Sequence, residues 1–360
     1  MKSIICFTES LAGGGAEHQM ALLAQFLKEE GYDVSIVTYA DLPDHYEIPC
    51  TIRRIKLSEG RNKTIKLIHV FFYFLFIKTD CIISYRKMCN IRLLVPMFFR
   101  SRKIKVLCSE RNTTIGSPDI ARRIMVKYLY RRADYIIPNS FSQARVILGE
   151  NPRLEYKLRT IHNYTDLLHF KPSNYPPDMD CLRLAVFARF SHQKNPFLFV
   201  DALSHLKKKT NRLFEVHWYG GREDDPFYLS VKDYVEDRYA SDVFVMHSSV
   251  KDPSLLMPSF HAICLPSLYE GFSNSIAEAI CCGKPMLVSD VADNGIMVRQ
   301  GINGFLFDPN DIESICNSFL LFFSLPYDEK CRFARNSREI AESLFNKQEF
   351  LNNYIDLIES

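Results

Sequence analysis

Short apolar runs that resemble strands alternate with helical patterns along almost the whole chain, and this alternation constrains its fold more than any other feature. The chain opens with SIICFT, continues with a helical pattern from Ala16 to Glu30, turns at Gly31 and returns with DVSIVTYA. Further runs follow at DCIISY near 80, KVLCSE near 105 and DYIIPNS near 134. Short apolar runs of this kind suit strands buried on both faces, as in a parallel sheet covered by helices. Segment Lys171 to Asp180, KPSNYPPDMD, is proline-rich and without period, so it is expected to be a linker. Beyond it the alternation restarts with LRLAVFAR, a helix over Pro196 to Lys209, FEVHWYG, a helix over Asp225 to Tyr239, VFVMHS, HAICLPS, a helix to about Cys282, and PMLVSD. The class is therefore α/β, with two doubly wound, Rossmann-like domains at 1–172 and 173–339 that are expected to face a cleft. The last helical stretch, Tyr327 to Ser360, is long, and its end from about 340 could pack back on the first domain.

A length of 360 residues lets each half bury its own core. Charge divides unevenly between the halves: residues 1–172 hold 27 Lys and Arg against 16 Asp and Glu, and the remainder holds 18 against 26. The first half calls for an acidic partner, for which nucleic acid and an anionic membrane are both admissible, although a solvated basic face would carry the same charge. Its cations are dense around Arg86, Lys87, Arg92, Arg100, Arg102, Lys103 and Lys105, then Arg122, Arg123, Lys127, Arg131 and Arg132. The longest apolar run, Leu67 to Ile77, is well below the ~20 residues of a membrane-spanning helix, which leaves a core helix or an interfacial one. Eleven scattered cysteines without a Cys-x-x-Cys pair, and a start that enters a strand directly, lead us to expect a reducing, cytosolic setting.

Three clusters could carry chemistry. The first is the glycine turn Gly13-Gly14-Gly15-Ala16-Glu17 between the opening strand and helix, where the backbone could approach a phosphate at a helix N-terminus. It lacks both the Lys-Ser/Thr of a P-loop and the third glycine of a dinucleotide fingerprint, and a tight turn would use the same residues. The second, ARFSHQKNP, follows the first strand of the second domain and puts Arg189 and Lys194 beyond a strand's carboxyl end, where two cations could neutralise a diphosphate. The third, PSLYEGFSNSIAEA, places Glu270 before a helix and Glu278 within it, so one carboxylate could take sugar hydroxyls and the other ribose hydroxyls. Ser275 and Glu278 also have the spacing of a capping box, which would give Glu278 a purely local role.

In this order the clusters resemble glycosyltransferase family 4, a retaining group with the GT-B fold, and relatives that build bacterial surface polysaccharides in particular. The likeness extends over nearly the whole chain and includes ADYIIPNS, IHNYTD, PSLYEGFSNSIAEAICCGKPMLVSD and GINGFLFDP. It implies transfer of a hexose or N-acetylhexosamine from a nucleotide diphosphate sugar, on the family branch a UDP-sugar, to a glycan acceptor that is polyprenyl-diphosphate-linked. It implies Arg189, Lys194 and Glu270 as the catalytic group. Donor contacts would come from Gly14, Gly15, Gly271, Phe272, Ser273, Asn274 and Glu278, and acceptor-side contacts from Glu110 and Arg111 in the Ser109-Glu110-Arg111-Asn112 turn. No metal and no cofactor are expected, and no nucleic acid. The expected location is cytoplasmic, peripheral on the inner face of the membrane. Many members carry a histidine on the acceptor side. Here none lies between His69 and His162, so no catalytic base is assigned.

Two other classes compete with this reading. A nicotinamide-dependent oxidoreductase, or a same-fold sugar-nucleotide epimerase, is the first, but the oxidoreductase should have a G-x-G-x-x-G turn, which the glycine turn is not. A noncatalytic binding subunit should have lost some of Arg189, Lys194, Glu270 and Glu278, and all four are present.

Overall fold

The computed structural model describes residues 1–12, 14–57, 62–101, 103–111, 120–177 and 179–360. Two compact units emerge, the first comprising Met1–Tyr164 with Lys347–Ser360 and the second Thr165–Asn346. In the first unit the order is β1 (Ser3–Thr8), α1 (Gly15–Glu29), β2 (Asp33–Thr38), β3 (Arg53–Lys56), α2 (Lys63–Phe76), β4 (Cys81–Tyr85), α3 (Lys87–Met97), β5 (Lys105–Glu110), α4 (Ile120–Lys127), β6 (Tyr135–Pro138) and α5 (Phe141–Glu150). The second unit runs β7 (Cys181–Phe187), α6 (Pro196–Lys209), β8 (Leu213–Gly221), α7 (Pro226–Asp237), β9 (Phe244–Ser248), β10 (Ala262–Leu265), α8 (Asn274–Cys281), β11 (Met286–Ser289), α9 (Asn294–Met297), β12 (Gly304–Phe307), α10 (Ile312–Ser324) and α11 (Tyr327–Leu344). The chain then re-enters the first unit as α12 (Lys347–Glu359).

Each unit holds a six-stranded sheet, in the order β3-β2-β1-β4-β5-β6 and β12-β11-β10-β7-β8-β9. Every strand pairing is parallel, so a helix crosses over to connect most successive strands and both faces need apolar side chains. β1 meets that requirement residue by residue: Ile4 and Cys6 enter a core that includes Met20 and Leu27 of α1 and Tyr354 of α12, while Ile5 and Phe7 enter one with Phe74 of α2 and Leu93 of α3. In both sheets the strand order reverses next to the first strand, between β1 and β4 and between β7 and β10. The carboxyl ends of strands flanking such a reversal diverge and leave a crevice suited to a ligand.

Two expectations from the sequence need adjustment. The unit boundary falls at Tyr164/Thr165 rather than at 172/173, because the proline-rich segment is docked within the second unit. The Tyr175 hydroxyl donates to the His261 carbonyl at 2.9 Å, and His261 Nε2 lies 3.1 Å from the Pro177 carbonyl. Prolines withdraw backbone donors there, and side chains anchor the segment instead. The terminal helical stretch is two helices. Phe345, 2% exposed, ends α11 by inserting into the core edge-on to Phe272 at 6.1 Å.

The apolar run of α2 is neither wholly core nor wholly surface. Val70 and Phe74 are buried, whereas Ile65, Leu67, Ile68, Phe72 and Phe76 are exposed. Phe72 and Phe76 stack on each other, and Phe71 meets the exposed Phe99 just beyond α3 at 5.9 Å. A surface helix normally turns a polar side outward. This one does not. No helix among the described residues is long and apolar enough to cross a membrane.

Candidate functional site

At the reversal in the second sheet, the loop after β7 and the loop after β10 come together. Gly220 sets the first loop's path, because its φ of 149° suits glycine and a Cβ there would lie 2.0 Å from the Ala188 carbonyl oxygen. That carbonyl accepts from Trp218 Nε1 at 2.6 Å. Lys194 then sits on a short 3-10 turn over His192–Lys194, and Asn195, left-handed at φ 57°, ends it by donating from Nδ2 to the Pro309 carbonyl at 2.7 Å.

Gln193 joins the two loops. Its carbonyl accepts from the Leu268 amide at 2.8 Å and its Nε2 donates to the Tyr269 carbonyl at 2.9 Å. This brings the Lys194 ammonium onto Glu270 Oε1 in an ion pair whose carboxylate residue is only 6% exposed. Of the three ammonium donors, one has a partner among the described residues, which leaves two for an anion. Arg189 is exposed beside them, held by a single long contact of 3.5 Å from Nη2 to Gln193 Oε1. The site therefore joins one paired cation, one exposed cation and one buried carboxylate.

The helix α8 begins next to this group. Ser273 is its N-cap residue but makes no side-chain cap bond, while Phe272 is packed in the core and Asn274 opens the helix. Helix N-termini leave backbone amides unpaired, and here nothing on the capping side chain covers them. The Ser275 hydroxyl points to the Phe187 carbonyl at the end of β7, 2.6 Å away, and so ties α8 to the first loop. Ser275 lies inside the helix, so the capping box with Glu278 does not form.

Glu278 is half-buried on α8, and its carboxyl group has no hydrogen bond or ion pair among the described residues. Burial, with a smaller push from the Asp252 charge, raises its pKa to about 8. The folded state thus holds a proton that the unfolded chain releases near the ordinary value of 4.5. Glu278 stabilises the fold fully below about pH 4.5 and loses that contribution as pH rises to about 8. Lys284, at 1% exposure, behaves oppositely: burial lowers it to about 8, so its penalty is relieved between pH 8 and 10.5. The two windows meet at pH 8, where the pair's joint contribution to stability is lowest. Unfolding free energies from urea titrations at pH 5 to 8 should fall for the parent protein by up to ~1.4 kcal/mol per pH unit from this group. Glu278→Gln should remove that slope while leaving the rise above pH 8.

Sequence reasoning missed Gln193, Ser191 and Ser267. Gln193 looked like one polar residue among several. The Ser191 and Ser267 hydroxyls are buried in the same two loops and have no hydrogen-bond partner among the described residues, so they are donors in reserve. Only the packing distinguishes them from ordinary loop serines.

In the first unit the glycine turn is packed against its own neighbours. Gly14 is extended, and its amide and carbonyl both contact the Tyr46 hydroxyl at 3.2 Å. A Cβ on Gly14 would come within 2.5 Å of Glu17 Oε2. The turn thus makes room for the buried Glu17, which meets Arg86 Nη1 at 2.5 Å in the first turn of α1, and Gly15 begins that helix. Gly13 lies outside the described residues.

Glu110 and Arg111 are also turned inward. Tyr130 donates to Glu110 Oε1 and Gln143 to Oε2, with Arg122 Nε 3.6 Å away. Arg111 donates to Ser109 Oγ at 2.9 Å, to Tyr85 at 2.8 Å, and to Asn163 and Tyr354. Burial pushes the Tyr85, Tyr130 and Tyr354 phenols upward, which keeps them neutral. Both residues are thus engaged within the first unit. Asn112 lies outside the described residues.

Residues 172–340 match the family described as glycosyl transferases group 1. A Campylobacter jejuni relative, N-acetylgalactosamine-N,N'-diacetylbacillosaminyl-diphospho-undecaprenol 4-alpha-N-acetylgalactosaminyltransferase, is 23% identical over 81% of either chain. The Escherichia coli UDP-Gal:alpha-D-GlcNAc-diphosphoundecaprenol alpha-1,3-galactosyltransferase is 26% identical over 46% of this chain, and the match spans 44% of that enzyme's length. Among solved structures, a glycosyltransferase from Rickettsia africae superposes with a TM-score of 0.82 at 17% identity, covering 99% of this chain and 98% of the other. Anabaena Alr3699/HepE in complex with UDP and glucose gives 0.82 at 17% identity, with both chains fully covered.

Proposed function

Because residues 172–340 match the group 1 glycosyl transferases and the chain has the GT-B fold, we propose that it is a retaining glycosyltransferase of bacterial surface-polysaccharide synthesis. It moves a hexose or N-acetylhexosamine from a UDP-sugar to a glycan carried on a polyprenyl diphosphate. The observation that supports this most directly is the Lys194–Glu270 pair, with Arg189 beside it, at the strand-order reversal of the matched unit. The curated relatives named above act on diphosphoundecaprenol-linked acceptors, and one uses UDP-Gal.

In this reading the donor diphosphate lies against Arg189, the two remaining Lys194 donors and the amides at the start of α8. The bond between the anomeric carbon and the phosphate oxygen breaks as the acceptor hydroxyl approaches on the same face. The new glycosidic bond forms there, and the hydroxyl proton passes to the departing phosphate oxygen. Negative charge grows on the diphosphate during this step, so fixed cations stabilise the transition state more than the ground state. We propose that these cations do so without a metal. Gly271, Phe272, Ser273 and Asn274 border the sugar, and Glu278 takes the ribose hydroxyls. Proton loss from Glu278 on donor binding would then make affinity rise toward pH 8.

A thermal-shift panel of nucleotides and sugar nucleotides tests the donor. A ligand that binds only the folded state at a hundred times its Kd adds about 2.7 kcal/mol. UDP and UDP-sugars should raise Tm in the parent protein and much less in Lys194→Ala. No shift with any nucleoside diphosphate would overturn the reading.

The acceptor reading also places the protein on the cytoplasmic membrane surface. Support comes from the exposed apolar side of α2 and from the cations around it: between Arg61 and Lys105 the sequence has eleven Lys and Arg and a single acid, Asp80. Co-sedimentation with vesicles should rise with anionic lipid content and weaken with salt. Phe72→Ser with Phe76→Ser should lower it at all salt concentrations.

A further inference from the structure

Where the carboxyl end of β2 meets α2 and α3, the first unit has a groove of about 370 Å³ lined by Tyr39, Leu42, Lys66, Leu67, Val70 and Arg92. Its two ends differ in chemistry. Leu42, Leu67 and Val70 give it an apolar wall, and Leu67 is half exposed, so that wall continues onto the unpartnered outer side of α2. At the other end the Arg92 guanidinium lies 3.9 Å above the Tyr39 ring, with Lys66 as a second cation. The one carboxylate of the lining, Asp41, is exposed to solvent.

Arg92 is the unusual residue. Its Nε and Nη1 are buried and have no hydrogen-bond partner among the described residues. Buried charged donors are costly unless acceptors meet them, and the Tyr39 face offers charge compensation without hydrogen bonds. Arg92 Nη2 is not one of those buried atoms, and it is through this nitrogen that an anion in the groove would meet the guanidinium. Arginine's planar fork suits a phosphate well. The apolar wall specifies what the anion must be attached to, since a free phosphate has no use for it.

We propose that this groove holds the diphosphate head and first isoprenoid carbons of a polyprenyl diphosphate, with Arg92 and Lys66 on the phosphates. Leu42, Leu67 and Val70 contact the chain, and the rest of the lipid follows the outer side of α2 into the bilayer. This inference rests on the lipid-linked acceptor of the preceding section and adds the place where its carrier is gripped. It also gives a reason for the outward apolar residues of α2 that a core helix would not need.

The test is calorimetric titration of the full chain with geranylgeranyl diphosphate below its micellar concentration and with no sugar donor present, so a failure of sugar transfer cannot be mistaken for a failure here. The expected result is saturable binding that is equal in the parent protein and in Lys194→Ala, and at least tenfold weaker in Arg92→Gln and in Leu67→Glu. Leu67 is half exposed, so its variant should fold even if Arg92→Gln does not. Geranylgeraniol should bind at least tenfold more weakly, and inorganic pyrophosphate at equal concentration should not displace the lipid. Binding unchanged in both groove variants would overturn the proposal. So would loss of binding in Lys194→Ala, or full displacement by pyrophosphate, because the diphosphate would then be seated in the second unit. Equal binding of geranylgeraniol would overturn the role of Arg92.

Discussion

Lys194→Ala should lower kcat/KM for sugar transfer by about 10²–10³-fold, the range seen when one pre-placed donor to developing negative charge is removed. Two physical effects combine in that variant. The ammonium that would face the leaving diphosphate is gone, and Glu270, 6% exposed, is left as a buried carboxylate without its partner. An uncompensated buried charge destabilises the fold by roughly 3–5 kcal/mol, and here it would also repel the donor. The double variant Lys194→Ala with Glu270→Gln separates the effects. It should recover most of the stability, measured by urea unfolding, while transfer stays low. Recovery of transfer in the double variant would mean that Lys194 serves only to neutralise Glu270, and would remove it from the catalytic group.

Arg111→Ala should have the largest effect on stability, about 2–4 kcal/mol by urea unfolding. The guanidinium gathers Ser109, Asn163, Tyr85 and Tyr354 around one buried centre and also lies 4.4 Å from the Tyr85 ring centroid. Removing it takes the Arg111 donor away from Asn163 Oδ1 and leaves a cavity. The Tyr85 and Tyr354 hydroxyls keep a mutual contact of 2.8 Å, which limits the loss. Because Tyr354 is on α12, that helix should become the first segment to exchange its amides. Amide exchange in Arg111→Ala that is uniformly faster across the first unit, with α12 no different from the rest, would contradict this account. An acceptor role for Arg111 would instead predict lost transfer with little loss of stability.

Much of the fold was legible because parallel strands buried on both faces must be apolar along their length. SIICFT and AICL announce themselves in that way without help from partners. The clusters of Arg189, Lys194, Glu270 and Glu278 were legible for a related reason, since polar residues directly after such strands fall at the carboxyl edge of a sheet. What local pattern could not supply was direction. Glu110 ends β5 and Glu270 follows β10, yet Tyr130, Gln143 and Arg122 enclose the first, while the second retains an oxygen with no partner among the described residues. The glycine turn was ambiguous for the same reason, because a missing Cβ can admit a phosphate or, as at Gly14, a neighbouring glutamate.

By itself the sequence determined that this protein is built from two parallel α/β units, and which strand ends carry cations and carboxylates. Tertiary structure alone decided that Lys194 and Glu270, 76 residues apart, form one site, that Gln193 links their loops, and that Arg92 faces a groove rather than a partner. The physical reason is that a strand's identity is written in its own residues, whereas its neighbour in the sheet is chosen by packing. β10 lies beside β7, and the loops after both strands meet, only because the second sheet is wound outward from β7 in both directions.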